Sequence, residues 1–520
     1  MRRILALAAL FAALLAVPLA MREPGASAPA DADHVIVVTA STEQIRAELG
    51  VAFSRWHEAR FGRPAQVVWS TPGGVVEIRR ALVSAWESRL RQGLPVGGDA
   101  DILLGGGSFE FESLRRPVRV VVDGQERTAT VLEPVPLPDA VIRACYGVTE
   151  LAGQRLFDPQ GWWYGVALST FGIVWNQPCL DRLGVPAPTQ WADLSDARLA
   201  GWVCMVNPAQ SGSILTAFES VVQRVGWRPG MAILRRAAAN ARAFAPSGTR
   251  GPIDVASGDA AMGVAIDFYA RAQAQALVDA AGPEGRAAAA DRVRFVAPRG
   301  QSAVDADPVG MLRNPPHRET AIRFVEFLLS PEAQRLWQFH VGEPGGPRRF
   351  ELRRMPVMAR LYAEESDHFV DRIDPFADAS VPAHREPGMR AFLPILFSAM
   401  AMDTPEELRQ AWRCIVRHPA FPRDRGGLVT AAEVQDPQLR SWLERFDAWP
   451  ELETPEGPRS LGDAAALADL EQGWLRAGWG DRGWWSPQDR PADAARRRFA
   501  EFFRGNYRWI LAQAKARVDA

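Results

Sequence analysis

Lysine is all but missing from this 520-residue chain: Lys515 is the only one, so nearly all of the 60 basic residues are arginine, a bias of the kind a GC-rich genome produces. Set against 61 acidic residues they leave a formal charge of −1, without the basic surplus that nucleic acid binding requires. Cysteine is scarce as well. Cys145, Cys179, Cys204 and Cys414 show neither CxxC nor mixed Cys/His spacing, which argues against a zinc site. In an exported chain they leave room for one disulfide, with Cys179 and Cys204 the preferred pair among three full connectivities. The seven histidines are scattered, and GxSxG, HExxH, GxGxxG and a P-loop lysine are all lacking, which removes the usual signatures of a hydrolase, a metalloprotease or a nucleotide-binding protein. Beyond the first residues no apolar run is long enough for a membrane span, so the mature chain reads as soluble.

What is present begins with an export signal. Arg2 and Arg3 precede an apolar run over residues 4–21 broken only by Pro18, and Ala26-Ser27-Ala28 reads as a small-residue cleavage site. Residues 1–28 are therefore a cleaved signal peptide or, if uncleaved, an amino-terminal anchor and the chain's only membrane contact. With no cysteine nearby, a lipid-anchored terminus is not expected. A chain of this length exceeds what a single core supports, so two or three domains are expected.

The mature chain opens with an α/β rhythm of three units, each an apolar strand, a loop of small hydroxylated residues and an amphipathic helix. HVIVVT (34–39) leads into Ser41 and Thr42, where Ser41-x-x-Gln44 reads as a capping box, and Ile45, Leu49, Ala52, Trp56 and Ala59 give the helix one apolar stripe. AQVVW (65–69) leads into Ser70-Thr71-Pro72-Gly73-Gly74, with Ile78, Leu82 and Ala85 continuing the following helix. DILL (101–104) ends in Gly105-Gly106-Gly107-Ser108. Strands alternating with helices at this spacing imply a parallel, doubly wound sheet, which gathers such loops at the carboxyl ends of its strands, where ligands bind. The hydroxyls of Ser41, Ser70, Thr71 and Ser108 are donors, and the glycines let amides at helix starts approach an anion. Taken singly, each loop reads equally as an ordinary helix cap.

VRVVV-DG-QERTATVL (118–132) is a hairpin, since Asp123-Gly124 suits a type I′ turn. A second region follows, with strands at residues 162–167 and 172–176 on either side of Ser169-Thr170-Phe171. Another strand at 202–206 enters NPAQSGS (207–213), and one at 260–266 has Asp267-Phe268-Tyr269 at its carboxyl end.

The segments HVIVVTAST, STFGIVWN, NPAQSGS, GDAAMGVAIDFYA and NPPHRETAIRFVEFLLSPEAQRLW together resemble the family 1 extracellular solute-binding proteins of ABC transporters, particularly the group with ferric-iron-binding receptors. The resemblance covers residues 33–374. It implies a type II periplasmic-binding-protein fold, two α/β lobes with a hinge: lobe 1 from residues 33–138 and 293–374, lobe 2 from 139–292, and a C-terminal helical extension over 375–520. It implies no catalysis and no resident cofactor, a periplasmic or extracytoplasmic location, a small-molecule or ion ligand, and an ABC transporter membrane permease as partner. Carried over by motif, the ligand-binding residues are Ser41, Thr42, Ser70, Thr71, Gly107 and Ser108 in lobe 1, facing Ser169, Thr170, Ser211, Gly212, Ser213, Asp267 and Tyr269 in lobe 2. Iron receptors of this group carry two adjacent tyrosines where this chain has Phe268 and Tyr269. Tyr269 and Asp267 would be metal ligands only if ferric iron were the transported ligand, and the donor set favours a small anion or a carboxylated or phosphonated solute.

Past residue 374 the chain exceeds the family's length. Residues 405–416, 437–446, 461–477 and 492–515 read as helices, Trp474, Trp479, Trp484 and Trp485 as packing groups, and Arg496-Arg497-Arg498 as a solvated face. A membrane-tethered ligand sensor or scaffold, and an enzyme on the same fold, are the alternative functions.

Overall fold

The apolar run HVIVVT forms the strand Asp33–Thr39 in the computed structural model, which describes residues 32–377, 381–384, 386–423, 425–476 and 491–519. Residues 1–28, which the sequence reads as a signal peptide or anchor, lie outside the described residues, and among these no helix is long and apolar enough to cross a membrane. Asp33–Thr39 pairs in parallel with Ala65–Ser70 on one side and Ile102–Leu104 on the other, as the strand–helix alternation requires. The helices Glu43–Phe61 and Val75–Gln92 cross between them. A second parallel set, Ala241–Ala245, Val203–Val206 and Met262–Ile266, forms the other lobe.

Two long antiparallel strands join the sets into one eleven-stranded sheet among the described residues. Tyr164–Asn176 pairs with Val304–Leu312 over Tyr164–Thr170, then continues against Met262–Ile266 from Phe171 to Trp175. Val304–Leu312 turns its other end to Ile102–Leu104. The sequence reading split the first of these at Ser169-Thr170-Phe171. The structure makes it one strand, buried at all 13 positions, because it is paired on both edges and covered on both faces.

Other local expectations change too. The first helix starts at Glu43 with Thr42 as an uncapped extended residue, and the Ser41 hydroxyl accepts from Thr39 Oγ1 at 2.9 Å instead of capping. Asp267 and Tyr269 are not at an extended strand end but in the first turn of the helix Asp267–Ala280, so they do not share a face. All four cysteines are free: Cys179 lies against Gly258, while Cys204 faces Asp254 Oδ2 at 3.6 Å, so the expected disulfide is absent. The hairpin Val118–Val122 with Gln125–Ala129 turns at Asp123 and Gly124, both at positive φ of 52° and 75°.

The carboxyl-terminal extension shares one continuous core with lobe 2. Its helices Pro405–Arg417, Pro437–Phe446 and Pro491–Asp519 lie where the sequence places helices, as do the short helical turns Ala464–Ala466, Leu467–Leu470 and Glu471–Arg476, and the turn region before these forms a hairpin, Glu451–Thr454 with Gly457–Ser460. Arg236, on the lobe 2 helix Trp227–Ala239, is fully buried and makes a bidentate pair with Asp447 at 2.8 Å to each oxygen. Trp412 Nε1 donates to Asn240 Oδ1 at 3.1 Å. Trp474 is buried and donates to the Glu453 carbonyl, while Trp479, Trp484 and Trp485 lie outside the described residues. Arg496 is not simply solvated: Nε and Nη2 both bond Asp403 at 2.7 Å.

Candidate functional site

Between the lobes lies a cleft of about 450 Å³, floored by the two hinge strands and walled by helix starts from both sides. Among the described residues the amino-terminal ends of five helices of eight or more residues reach it: Glu43–Phe61 through Ser41, Val75–Gln92 through Gly73 and Gly74, Gly212–Val225 through Ser211 to Ser213, Arg250–Ser257 through Ser247 to Thr249, and Asp267–Ala280 through Ile266; the shorter helix Ser108–Leu114 adds Gly107. Each end adds backbone N–H groups and roughly half a positive charge. Gly106, at φ 108°, could carry no side chain, since a Cβ would stand 2.8 Å from Val75 Cγ1.

Arg354 lies at the floor. It is 5% exposed, pairs with Asp307, and donates from Nη2 to Ser169 Oγ at 2.9 Å. Ser169 in turn donates to Asp307 at 2.7 Å. The guanidinium is sandwiched 4.1 Å from the Phe268 ring centroid and 5.5 Å from that of Trp337. Burial pulls it down to about 10, with Asp267 and Tyr269 opposing that fall, so it remains cationic at neutral pH. Its Nε is buried with no hydrogen-bond partner among the described residues.

Carboxylates sit on the lobe 1 wall. Glu77 accepts from Gly74 N at 2.8 Å. Asp305 accepts from Ser108 Oγ at 2.8 Å, and burial pushes its carboxyl up to about 6, opposed by the Ser108 hydroxyl, reinforced by Glu110 and opposed again by Arg390. Glu110 is buried and reaches across the cleft: its Oε1 is 3.0 Å from where a Cβ on Gly212 would be. Gly212 is thus a site of close approach between lobes.

Of the residues expected from sequence, Ser41, Gly107, Ser169, Ser211, Gly212, Ser213 and Tyr269 line the cleft, and no hydrogen bond holds the Tyr269 hydroxyl among the described residues. Thr42 lines an adjoining groove with Gln44 and Arg349. Ser70, Thr71, Ser108, Thr170 and Asp267 do not line the cleft. Ser70 ends its strand and the cleft is lined from that loop by Gly73 and Gly74, while Ser108 serves Asp305. Strand alternation turns Ser169 in and Thr170 away, toward Asp267 at 3.4 Å. Asp267 is fully buried, its carboxyl raised by burial against the pull of Arg271 and Arg354, and it is 3.6 Å from Arg271. Among the described residues no group of three or more His, Cys, Asp or Glu is arranged to hold a metal ion.

The sequence reading missed Arg354, Asp305, Asp307, Glu110 and the Ser247-Gly248-Thr249 loop. The last has the same small-residue composition before a helix as the loops that were singled out, and Asp305-Ala306-Asp307 puts two acids on one face of an otherwise apolar strand. Arg354 carries no local signal; it lies in an irregular segment brought in by the fold.

A two-lobed sheet hinged on two strands, with its cleft at the carboxyl ends of parallel strands, defines a periplasmic-binding fold. AfuA of Actinobacillus pleuropneumoniae, solved with exogenous fructose-6-phosphate bound, shares it with a TM-score of 0.50 at 16% identity, over 73% of this chain and 97% of that one. The apo ferric ion-binding protein A of Pasteurella haemolytica is similar at a TM-score of 0.47 and 14% identity, over 73% and 98%. In sequence, residues 145–346 match the family model described as bacterial extracellular solute-binding protein. The phosphoglycerate transport regulatory protein PgtC of Salmonella typhimurium is 28% identical over 294 residues, which are 54% of this chain and 66% of that protein, just under two thirds of its length.

Proposed function

We propose that the chain is an extracytoplasmic receptor, without catalytic activity, that closes its lobes over a small organic solute bearing a phosphate, phosphonate or carboxylate group and presents it to an ABC-type membrane permease. The observation that carries this reading is the convergence of five longer helix starts on a cleft floored by the buried Arg354, whose Nε has no partner among the described residues. The carboxylates of Glu77, Glu110 and Asp305 on the opposite wall suit hydroxyl groups of the same solute, since a carboxylate accepts hydrogen bonds from hydroxyls. The name of the Salmonella relative makes phosphoglycerate the first probe to try.

The test is isothermal titration of the exported protein with 3-phosphoglycerate, inorganic phosphate, an alkylphosphonate and ferric citrate. Binding of at least one organic anion, lost in Arg354→Met, supports the reading. Binding of ferric ion alone, with a visible phenolate charge-transfer band abolished in Tyr269→Phe, replaces it with iron capture. The word "regulatory" in the relative's name favours a second reading, a tethered sensor, which amino-terminal sequencing separates: a retained residue 1–28 segment supports tethering and a mature terminus near residue 29 supports the free receptor.

A further inference from the structure

We infer that the carboxyl-terminal extension completes the receptor's closing surface, with Arg390 as an affinity-setting residue that clamps lobe 1 to lobe 2. The inference rests on the receptor reading above. Arg390 stands in the first turn of the helix Met389–Phe397, which is packed on lobe 2 within the shared core. On the lobe 2 side it pairs with Glu219 and donates to Thr216 Oγ1 at 3.4 Å, and Thr216 lines the cleft. On the other side its guanidinium lies 4.1 Å from the ring centroid of Phe109, which belongs to the lobe 1 helix Ser108–Leu114.

One arginine on the extension therefore touches both lobes at the cleft's rim. Its neighbour across the rim acts in the same sense, for Glu110, next in sequence to Phe109, meets Gly212 at the start of the lobe 2 helix. The two contacts fasten the short Ser108–Leu114 helix at two points, and the extension supplies one of them. Nε and Nη2 of Arg390 are buried with no hydrogen-bond partner among the described residues, so the guanidinium is already partly desolvated. That setting makes a cation–π contact worth more than on an open surface. Phe109 is itself 45% exposed despite this cover, a large apolar ring at the rim with Arg390 against its face. Opening the cleft would separate Arg390 from Phe109 while leaving its pair with Glu219 intact. The contact is thus specific to the closed arrangement and acts on ligand release more than on folding.

The test uses the full-length chain as Arg390→Ala, Arg390→Lys, Phe109→Ala and the double Arg390→Ala/Phe109→Ala, titrated with 3-phosphoglycerate and measured by small-angle scattering with and without it. Each alanine variant is expected to weaken binding about 3- to 30-fold, the range of a partly desolvated cation–π contact. The double variant should be no weaker than the worse single, and lysine should restore part of the loss. Phe109→Ala sits at an exposed position and keeps the test sound if Arg390→Ala loses stability. Unchanged affinity in both single variants, or fully additive losses, overturns the clamp. If the parent binds no organic anion the receptor reading fails, and scattering without ligand still decides the clamp: a larger radius of gyration in Phe109→Ala than in the parent supports it, and equal radii overturn it.

Discussion

Asp305 is expected to make this protein less stable as pH rises from about 4 to 6, the reverse of the usual contribution of a paired carboxylate. Its carboxyl is pushed from the ordinary 3.8 up to about 6, first by burial and then by Glu110, against the Ser108 hydrogen bond and the charge of Arg390. The folded state therefore binds the proton more tightly than the unfolded chain, holds more protons between the two values, and loses stability as pH climbs through that window before levelling above it. A shift of about two units corresponds to about 3 kcal/mol at 1.36 kcal/mol per unit. Asp305 lines an open cleft and keeps some solvent contact, so screening reduces the expected size to about 1 to 3 kcal/mol. Asp305→Asn keeps an acceptor for Ser108 Oγ and removes the charge. Urea unfolding of parent and variant at pH 4.5, 6 and 7.5 isolates the group, because the other titrations cancel in the difference. The stability of the variant relative to the parent should rise by about 1 to 2 kcal/mol from pH 4.5 to pH 7.5, since roughly a third of the whole change already lies below pH 4.5. A difference that does not change with pH, or one that falls as pH rises, refutes the reasoning.

Three further outcomes follow from contacts already described. Gly212→Val places a branched side chain against Glu110 and should abolish calorimetric binding of whichever organic anion the parent takes up while circular dichroism stays native; Glu110→Ala in the same chain should recover part of it, and normal affinity in the single variant would mean that the lobes do not meet there. Arg236→Met leaves the Asp447 carboxylate, which burial raises but Arg236 holds below its ordinary value, with only Arg235 at 3.7 Å, and should cost about 1.5 to 3 kcal/mol in guanidinium unfolding; a loss under about 0.5 kcal/mol would show that the extension is not fastened there. Tyr269→Phe should leave the melting temperature unchanged and weaken organic-anion binding by about 2- to 12-fold, the worth of one hydrogen bond, and an unchanged dissociation constant would remove the phenol from the site.

The lobe strands were legible because each is short, apolar and followed by a helix start whose small residues announce the turn. Ser41 and Gly107 were found by that local rule and line the cleft, as does the Ser211 to Ser213 loop, which came from the family resemblance, whereas Ser70, Thr71 and Ser108, chosen by the same rule, do not. The floor was not legible. Ser169 was singled out, but its place in a continuous strand depends on pairing with Val304–Leu312, about 138 positions away, and no local pattern reports such a pairing. Hydroxyls in Ser169-Thr170 look like a loop until both edges of the strand are known to be occupied. Arg354 became visible only once the chain was folded, since its identity as a site residue comes from Asp307, Ser169 and two aromatic rings, all distant in sequence. Tyr269 and Asp267 were paired on the premise of an extended backbone. A helical start rotates successive positions by about 100° and sends one to the cleft and the other to Arg271.

The unbroken strand Tyr164–Asn176 carries Ser169 at the place where its partners change from one lobe to the other, beside Asp307 on its neighbour. A point on a pivot barely travels when the arms swing. Ser169, Asp307 and Arg354 would accordingly keep their mutual distances whether the arms are apart or together, whereas Glu110 and Gly212, out on the arms, meet only at the end of the stroke. A solute could then dock first on the stationary groups at a rate set by diffusion and be held afterwards by the moving ones. Substitutions at the pivot should alter how fast it arrives and those on the arms how long it stays.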